Sequence, residues 1–199
     1  MNSISVIGKK TVSILTAGAL SLALIGTAVE STLAPAKAKA APASVSHSKF
    51  DVHAVQTLNS FYKPALKGQF PNFYGFTVGS TTKQAVIKTI GQAPEPGKDS
   101  DAFDVYHGEM GHPGYAVSYK LNKIREMRYF GTNVERQTNI GGISLAMLVH
   151  EWGAPNKSAT FKTGKQTQKK VTYVRGSFQL EFIFNNPTDL DHINLTHKG

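Results

Sequence analysis

Two segments of this chain carry the same punctuation at a fixed distance. Gly79–Pro94 reads GSTTKQAVIKTIGQAP and Gly141–Pro155 reads GGISLAMLVHEWGAP. At an offset of 62 residues, Gly79 falls on Gly141, Thr82 on Ser144, Val86 on Leu148, Ile90 on Trp152 and Gly91 on Gly153; the proline slips by one. Each copy spells a glycine lead-in, a short amphipathic helix and a Gly-then-Pro stop, because glycine tolerates the left-handed C-terminal position and proline cannot extend a helix. A unit that cannot bury its own apolar stripe needs a neighbour, so two copies predict two helices sharing a core.

The residues downstream of each copy set the fold class. In the first, Ser80 or Thr81 caps a helix through Ile90, with Ala85, Val86 and Ile90 inward and Lys83, Gln84 and Lys88 outward. Strands are expected at Ala102–His107, Tyr115–Leu121 and Ile124–Phe130, with Tyr115, Val117, Tyr119 and Leu121 on one side and Asn122-Lys123 as a two-residue turn. In the second, the helix spans about Ser144–Trp152, striped by Leu145, Leu148, Val149 and Trp152. A basic turn, Lys162–Lys170, leads to strands Val171–Arg175, Phe178–Phe184 and His192–Thr196. Upstream, Phe50, Val55, Leu58, Phe61 and Tyr62 recur at helical spacing, predicting a helix over about Lys49–Leu66 that Ser46 or Ser48 caps and Pro64 kinks or ends. The reading is an α+β domain over 49–199: an N-terminal helix, then two tandem helix-plus-antiparallel-meander repeats at about 75–131 and 138–197, helices on one face of the sheet.

The first forty residues read as an export leader. Lys9 and Lys10 precede the apolar run Thr11–Val29, and Ala38-x-Ala40 reads as a signal peptidase site, with a Pro/Ala/Ser linker over 41–48. The run is also nearly long enough for an uncleaved anchor. Cleavage of forty from 199 residues leaves 159, enough for one core, and removing four lysines and Glu30 lowers the net charge from +9 to +6. The chain has no cysteine, so disulfides, thiol chemistry and a lipidated N-terminus are set aside.

These residues resemble the YjgB-like family of small secreted proteins of Gram-positive bacteria. The resemblance rests on Leu66-Lys-Gly68, Phe76-x-Val-Gly79-x-Thr81, Val86-x-x-x-Ile-Gly91, Ile143-Ser144, Trp152-Gly153-x-Pro155 and the ending Pro187-Thr-Asp-Leu-Asp191-His192-Ile-Asn194. It covers essentially the whole mature region and brings no catalytic motif. The repeat unit is also similar to that of β-lactamase inhibitor proteins and BamE-type lipoproteins. The chain lacks the disulfides of the one and the lipidated cysteine of the other, and function does not travel with fold.

Candidate chemistry is sparse. His107-x-Glu109-x-x-His112 with Asp104 upstream has metal-binding residue types, but Gly108, Gly111, Pro113 and Gly114 make it a hairpin turn that no helix organises. His150-Glu151 lacks the second histidine of a zinc-protease helix, since Ala154 stands there. His192 beside Asp191 reads as a strand histidine held by a carboxylate rather than as a catalytic pair. No Gly-x-Ser-x-Gly elbow or phosphate-cradling glycine loop occurs.

The expectation is therefore a secreted, non-catalytic binding module of the envelope or extracellular space, with no cofactor, no metal, no nucleic-acid partner and no membrane span after cleavage. A protein partner is expected on the polar sheet face, at Lys120, Arg125, Tyr129, Gln179, Glu181 and His192, with Ser118 and Asn194 beside them. The alternative is an adaptor touching anionic wall polymer through Lys162, Lys165, Lys169 and Lys170 at a hairpin tip. A metal-dependent hydrolase comes third.

Overall fold

Seven strands form one antiparallel sheet in the computed structural model, which describes residues 50–109, 111–132, 140 and 142–198. The expected leader and linker, the caps Ser46 and Ser48, Gly141 and the start of the second repeat lie outside these residues. Helices α1 (Val52–Ser60), α2 (Tyr62–Ala65) and α3 (Lys83–Ile90) precede strands β1 (Asp104–Tyr106), β2 (Pro113–Lys120) and β3 (Lys123–Thr132). Helix α4 (Leu145–Trp152) then precedes β4 (Lys157–Thr163), β5 (Gln166–Arg175), β6 (Phe178–Asn186) and β7 (Asp189–His197). The strand order is β1-β2-β3-β7-β6-β5-β4, so two consecutive meanders meet at the β3–β7 ladder.

Local chemistry accounts for the helix ends. The Asp51 carboxylate accepts the Ala54 N–H and caps α1. The expected single helix breaks at Phe61 because Pro64 has no N–H for the Ser60 carbonyl and its ring crowds that position. Thr82, not Ser80 or Thr81, caps α3 by accepting the Ala85 N–H, and Ser144 caps α4 by accepting from Met147. Both helices stop at a glycine with positive φ, 84° at Gly91 and 77° at Gly153.

The largest departure lies between α4 and β5. Lys157–Thr163 is a strand, and the basic turn expected over Lys162–Lys170 narrows to Gly164-Lys165 at the head of the β4–β5 hairpin. The β2–β3 turn also shifts by one residue, to Leu121-Asn122, both with positive φ (49° and 62°). Leu121, expected inward, is thus 90% exposed, and Ala85 is exposed while Val86 carries the α3 contact.

One face of the sheet is the core. The cross-strand row Tyr106–Tyr115–Tyr129–Ile193–Phe182–Val171–Ser158 crosses all seven strands, with Val117, Met127, Leu195, Leu180 and Tyr173 in the next row. From β2 to β5 these residues share one buried cluster with Ala54, Leu58, Phe61, Val86, Met147 and Leu148; Tyr106 packs half-buried against it and Ser158, on edge strand β4, is exposed. Phe73 stacks on Tyr115 at 3.7 Å, Phe61 meets Tyr129 edge-on, and Trp152 meets Tyr173 and Phe182 edge-on. Each fully buried aliphatic or phenyl side chain contributes about 1.5–3 kcal/mol.

Candidate functional site

The pleat sends alternate residues to the second face of the sheet, where the row Val105–Ala116–Arg128–Asn194–Glu181–Thr172–Lys157 again crosses all seven strands. Short side chains in and beside this row (Ala116, Ser118, Thr172, Ile183, Asn194) are buried beneath longer charged ones. Between β3 and β4 this face forms a cleft of about 640 Å³ whose walls include Arg128, Glu181, His192, Lys170, Gln168 and Phe161.

The charged groups in the cleft are held in pairs. Arg128 Nε donates to Glu126 Oε1 at 3.0 Å, and the guanidinium lies 3.9 Å from the centre of the Phe103 ring. Lys170 Nζ is 3.0 Å from Glu181 Oε1. His192 Nδ1 is 2.6 Å from Asp191 Oδ2, and its ring packs near Phe130. A relay continues along the wall: Thr163 Oγ1 donates to Gln168, Gln168 Nε2 donates to Asn185 Oδ1, and Asn185 Nδ2 donates to Asp189 and Asp191. The His192 hydrogen bond, opposed by burial and reinforced by Asn185 and the Arg128 charge, holds the Asp191 carboxyl below its ordinary range. Asn194 Oδ1 is buried in the cleft floor, and among the described residues no hydrogen-bond donor reaches it. A polar network with fixed partners holds its donors and acceptors at set positions.

The expected contact residues divide three ways. Glu181, His192 and Lys170 meet in this cleft, and Gln179 lies on the same face, one row away, opposite Thr196. Lys120 and Arg125 instead line a second cleft of about 560 Å³, where Arg125 grips Asp101 (Nη1–Oδ1 2.6 Å) and donates to Ser118. Tyr129 is corrected outright: it is 9% exposed, in the core between Phe61, Phe70 and Tyr115. The β2–β3 register shifts where Tyr119 pairs with Ile124, leaving Arg125 as the extra residue and turning Met127 and Tyr129 inward.

The lysine patch does not assemble either. Lys162 and Lys169 leave the sheet on the face of Val171, Lys170 on the opposite face in its pair with Glu181, and Lys165 sits in the turn. Arg128, Glu126, Gln168 and Phe161 are cleft residues that sequence reasoning passed over, whereas Asp191 holds His192 as expected. Inward Ile124 and Met127, three apart, imply a bulge at Arg125 and would have placed Glu126 and Arg128 on the polar face.

The metal-like motif separates as well. Asp104 accepts the Gly97 N–H and pairs with Lys83 Nζ at 2.9 Å, while His107 Nε2 lies 2.9 Å from Glu95. Among the described residues no three His, Asp or Glu side chains converge as metal ligands, and no helix is long and apolar enough to cross a membrane.

Comparison with known proteins yields a consistent picture. The profile of the family described as "Domain of unknown function (DUF4309)" matches residues 58–196. The uncharacterised protein YjgB of Bacillus subtilis (strain 168) is 35% identical over 193 residues, 96% of this chain and 100% of that protein. The crystal structure of this DUF4309 protein superposes with a TM-score of 0.67 at 33% identity, over 74% of this chain and 100% of that one. A cysteine-rich secretory protein of Staphylococcus aureus aligns at 17% identity and a TM-score of only 0.41, over 63% of this chain and 44% of that one.

Proposed function

The chain belongs to the DUF4309 family, and from that premise we propose that it is a secreted, non-catalytic binding module that docks a protein partner. The single observation carrying this reading is the cleft on the second sheet face. Arginine is enriched at energetic hot spots, and Arg128 stands there pre-positioned by Glu126 and Phe103. Ion pairs already formed in the free protein lower the ordering entropy lost on docking. Among the described residues Thr163 is the one hydroxyl side chain lining the cleft, and it is committed to Gln168, which supports a binding rather than a nucleophilic role.

The architecture is part of the same proposal. We read α3 with β1–β3 and α4 with β4–β7 as two copies of one unit, supported by the matched caps at Thr82 and Ser144 and the matched stops at Gly91 and Gly153. The helices then share one face, supported by helix and strand residues in a common cluster, and leave the other for the partner. The wall-polymer alternative is weaker, because its four lysines split between two faces and a turn.

The test is capture with the exported protein, whose N-terminus is expected at Ala41. Wild type is expected to retain one culture protein stoichiometrically, and an Arg128→Ala/Glu181→Ala variant of unchanged stability is expected to lose it. Equal retention by both would remove the cleft from the account.

A further inference from the structure

We propose that β4 accepts an acidic, extended segment of the partner as an eighth strand. This rests on the protein-binding reading and specifies how the partner is held. The two sheet edges differ sharply. At one, β1 has three residues and is already bridged by Glu95, which pairs with Val105. At the other, β4 has seven residues, all exposed, in unbroken register with β5 and, among the described residues, with no strand on its outer side. A regular edge of this length presents a row of unpaired N–H and C=O groups, the template for strand addition.

The charge of the edge chooses the occupant. No Asp or Glu occurs between Asn156 and Leu180, while Lys157, Lys162, Lys165, Lys169, Lys170 and Arg175 do. Of these, Lys170 is paired with Glu181. Lys157, Lys162, Lys165 and Lys169 enter no ion pair among the described residues. Edge lysines deter pairing with a second copy, because two such hairpins repel; the same lysines attract a strand carrying carboxylates. Lys157 and Lys162 stand near the two ends of β4 and leave Ser158-Ala-Thr-Phe161 uncharged between them, so backbone pairing is not blocked. Ala159, Phe161 and Thr163 also form a wall of the Arg128–Glu181 cleft, so an added strand would continue the surface on which the rest of the partner sits.

The probe is an alternating Glu/Val peptide of about six residues, a common strand length, beside its Lys/Val counterpart. Both are added to the exported protein while amide exchange of Lys157–Thr163 is followed by mass spectrometry. The Glu/Val peptide is expected to slow exchange there about tenfold at low salt and less at high salt, and the Lys/Val peptide not at all. A Lys157→Glu/Lys162→Glu variant, altered only at exposed positions, is expected to reverse the preference. Protection by neither peptide, or by both equally, would overturn the proposal. So would β4 amides that are slow before any peptide is added: a concentration-dependent effect would then mean a second copy, a concentration-independent one another segment of this chain. A culture protein captured equally by wild type and by the charge-reversed variant would overturn strand addition and leave the protein-binding reading intact. Selective protection by Glu/Val with no culture protein captured would support strand addition while removing the support for a protein partner.

Discussion

Arg175 shows how single side chains tie this molecule together. Its guanidinium lies 4.4 Å from the ring centre of Tyr62, 4.7 Å from Trp152 and 5.3 Å from Tyr173, joining α2, α4 and β5. Burial pulls its pKa down, opposed by Tyr62 and Tyr173. A planar cation stacks on several rings where an ammonium cannot, so Arg175→Lys is expected to cost about 1 kcal/mol, read as a lower urea midpoint. An unchanged midpoint would mean the rings hold one another without it. Periodicity shows none of this, because the contact joins residues far apart in the chain. Trp152 was legible as a stripe residue; its indole N–H donating to Asn59 was not. Tyr129 is the instructive miss. A single extra residue at Arg125 reverses which side chains face inward, and a bulge has no composition of its own.

At the scale of elements, the sequence announces itself where local chemistry decides. Gly91 and Gly153 stop α3 and α4 as read, and Thr82, the hydroxyl that caps α3, lies within two positions of Ser80 and Thr81, the residues expected to cap it. If the two helices are copies of one unit, Thr82→Ala and Ser144→Ala should each cost about 1 kcal/mol in thermal or urea unfolding. A loss confined to one of them would argue against equivalent roles. Elements held only by tertiary pairing were hidden. Strand β4, KSATFKT, has one large apolar residue and no inward face, so no alternation marks it; pairing with β5 alone makes it a strand. Lys162 reads as part of a basic turn for the same reason. The open-face cleft was half legible, with Glu181 and His192 foreseen, and Arg128 lost to the bulge.

Across the whole molecule, the buried tyrosines couple stability to pH. Burial raises the phenol pKa of Tyr115, Tyr119, Tyr129 and Tyr173 above the ordinary 10.0. A group whose folded pKa lies above its unfolded value gives stability that is complete below the unfolded pKa and is lost as pH rises through the folded one. The urea midpoint should therefore hold to about pH 10 and fall beyond it, with a shallower fall in a Tyr115→Phe/Tyr129→Phe variant. Equal slopes would mean these phenols do not drive alkaline unfolding. The same continuous sheet that buries these rings leaves a polar face crossing all seven strands, and the central claim is that this face docks a protein. The most direct measurement runs the exported wild type and the Arg128→Ala/Glu181→Ala variant over culture proteins and over purified cell walls, at low and at high salt. The account predicts one culture protein held by wild type at both salts and released by the variant. Retention on walls alone, only at low salt and equal in both proteins, would contradict it, because that is the signature of counterion release from an anionic polymer.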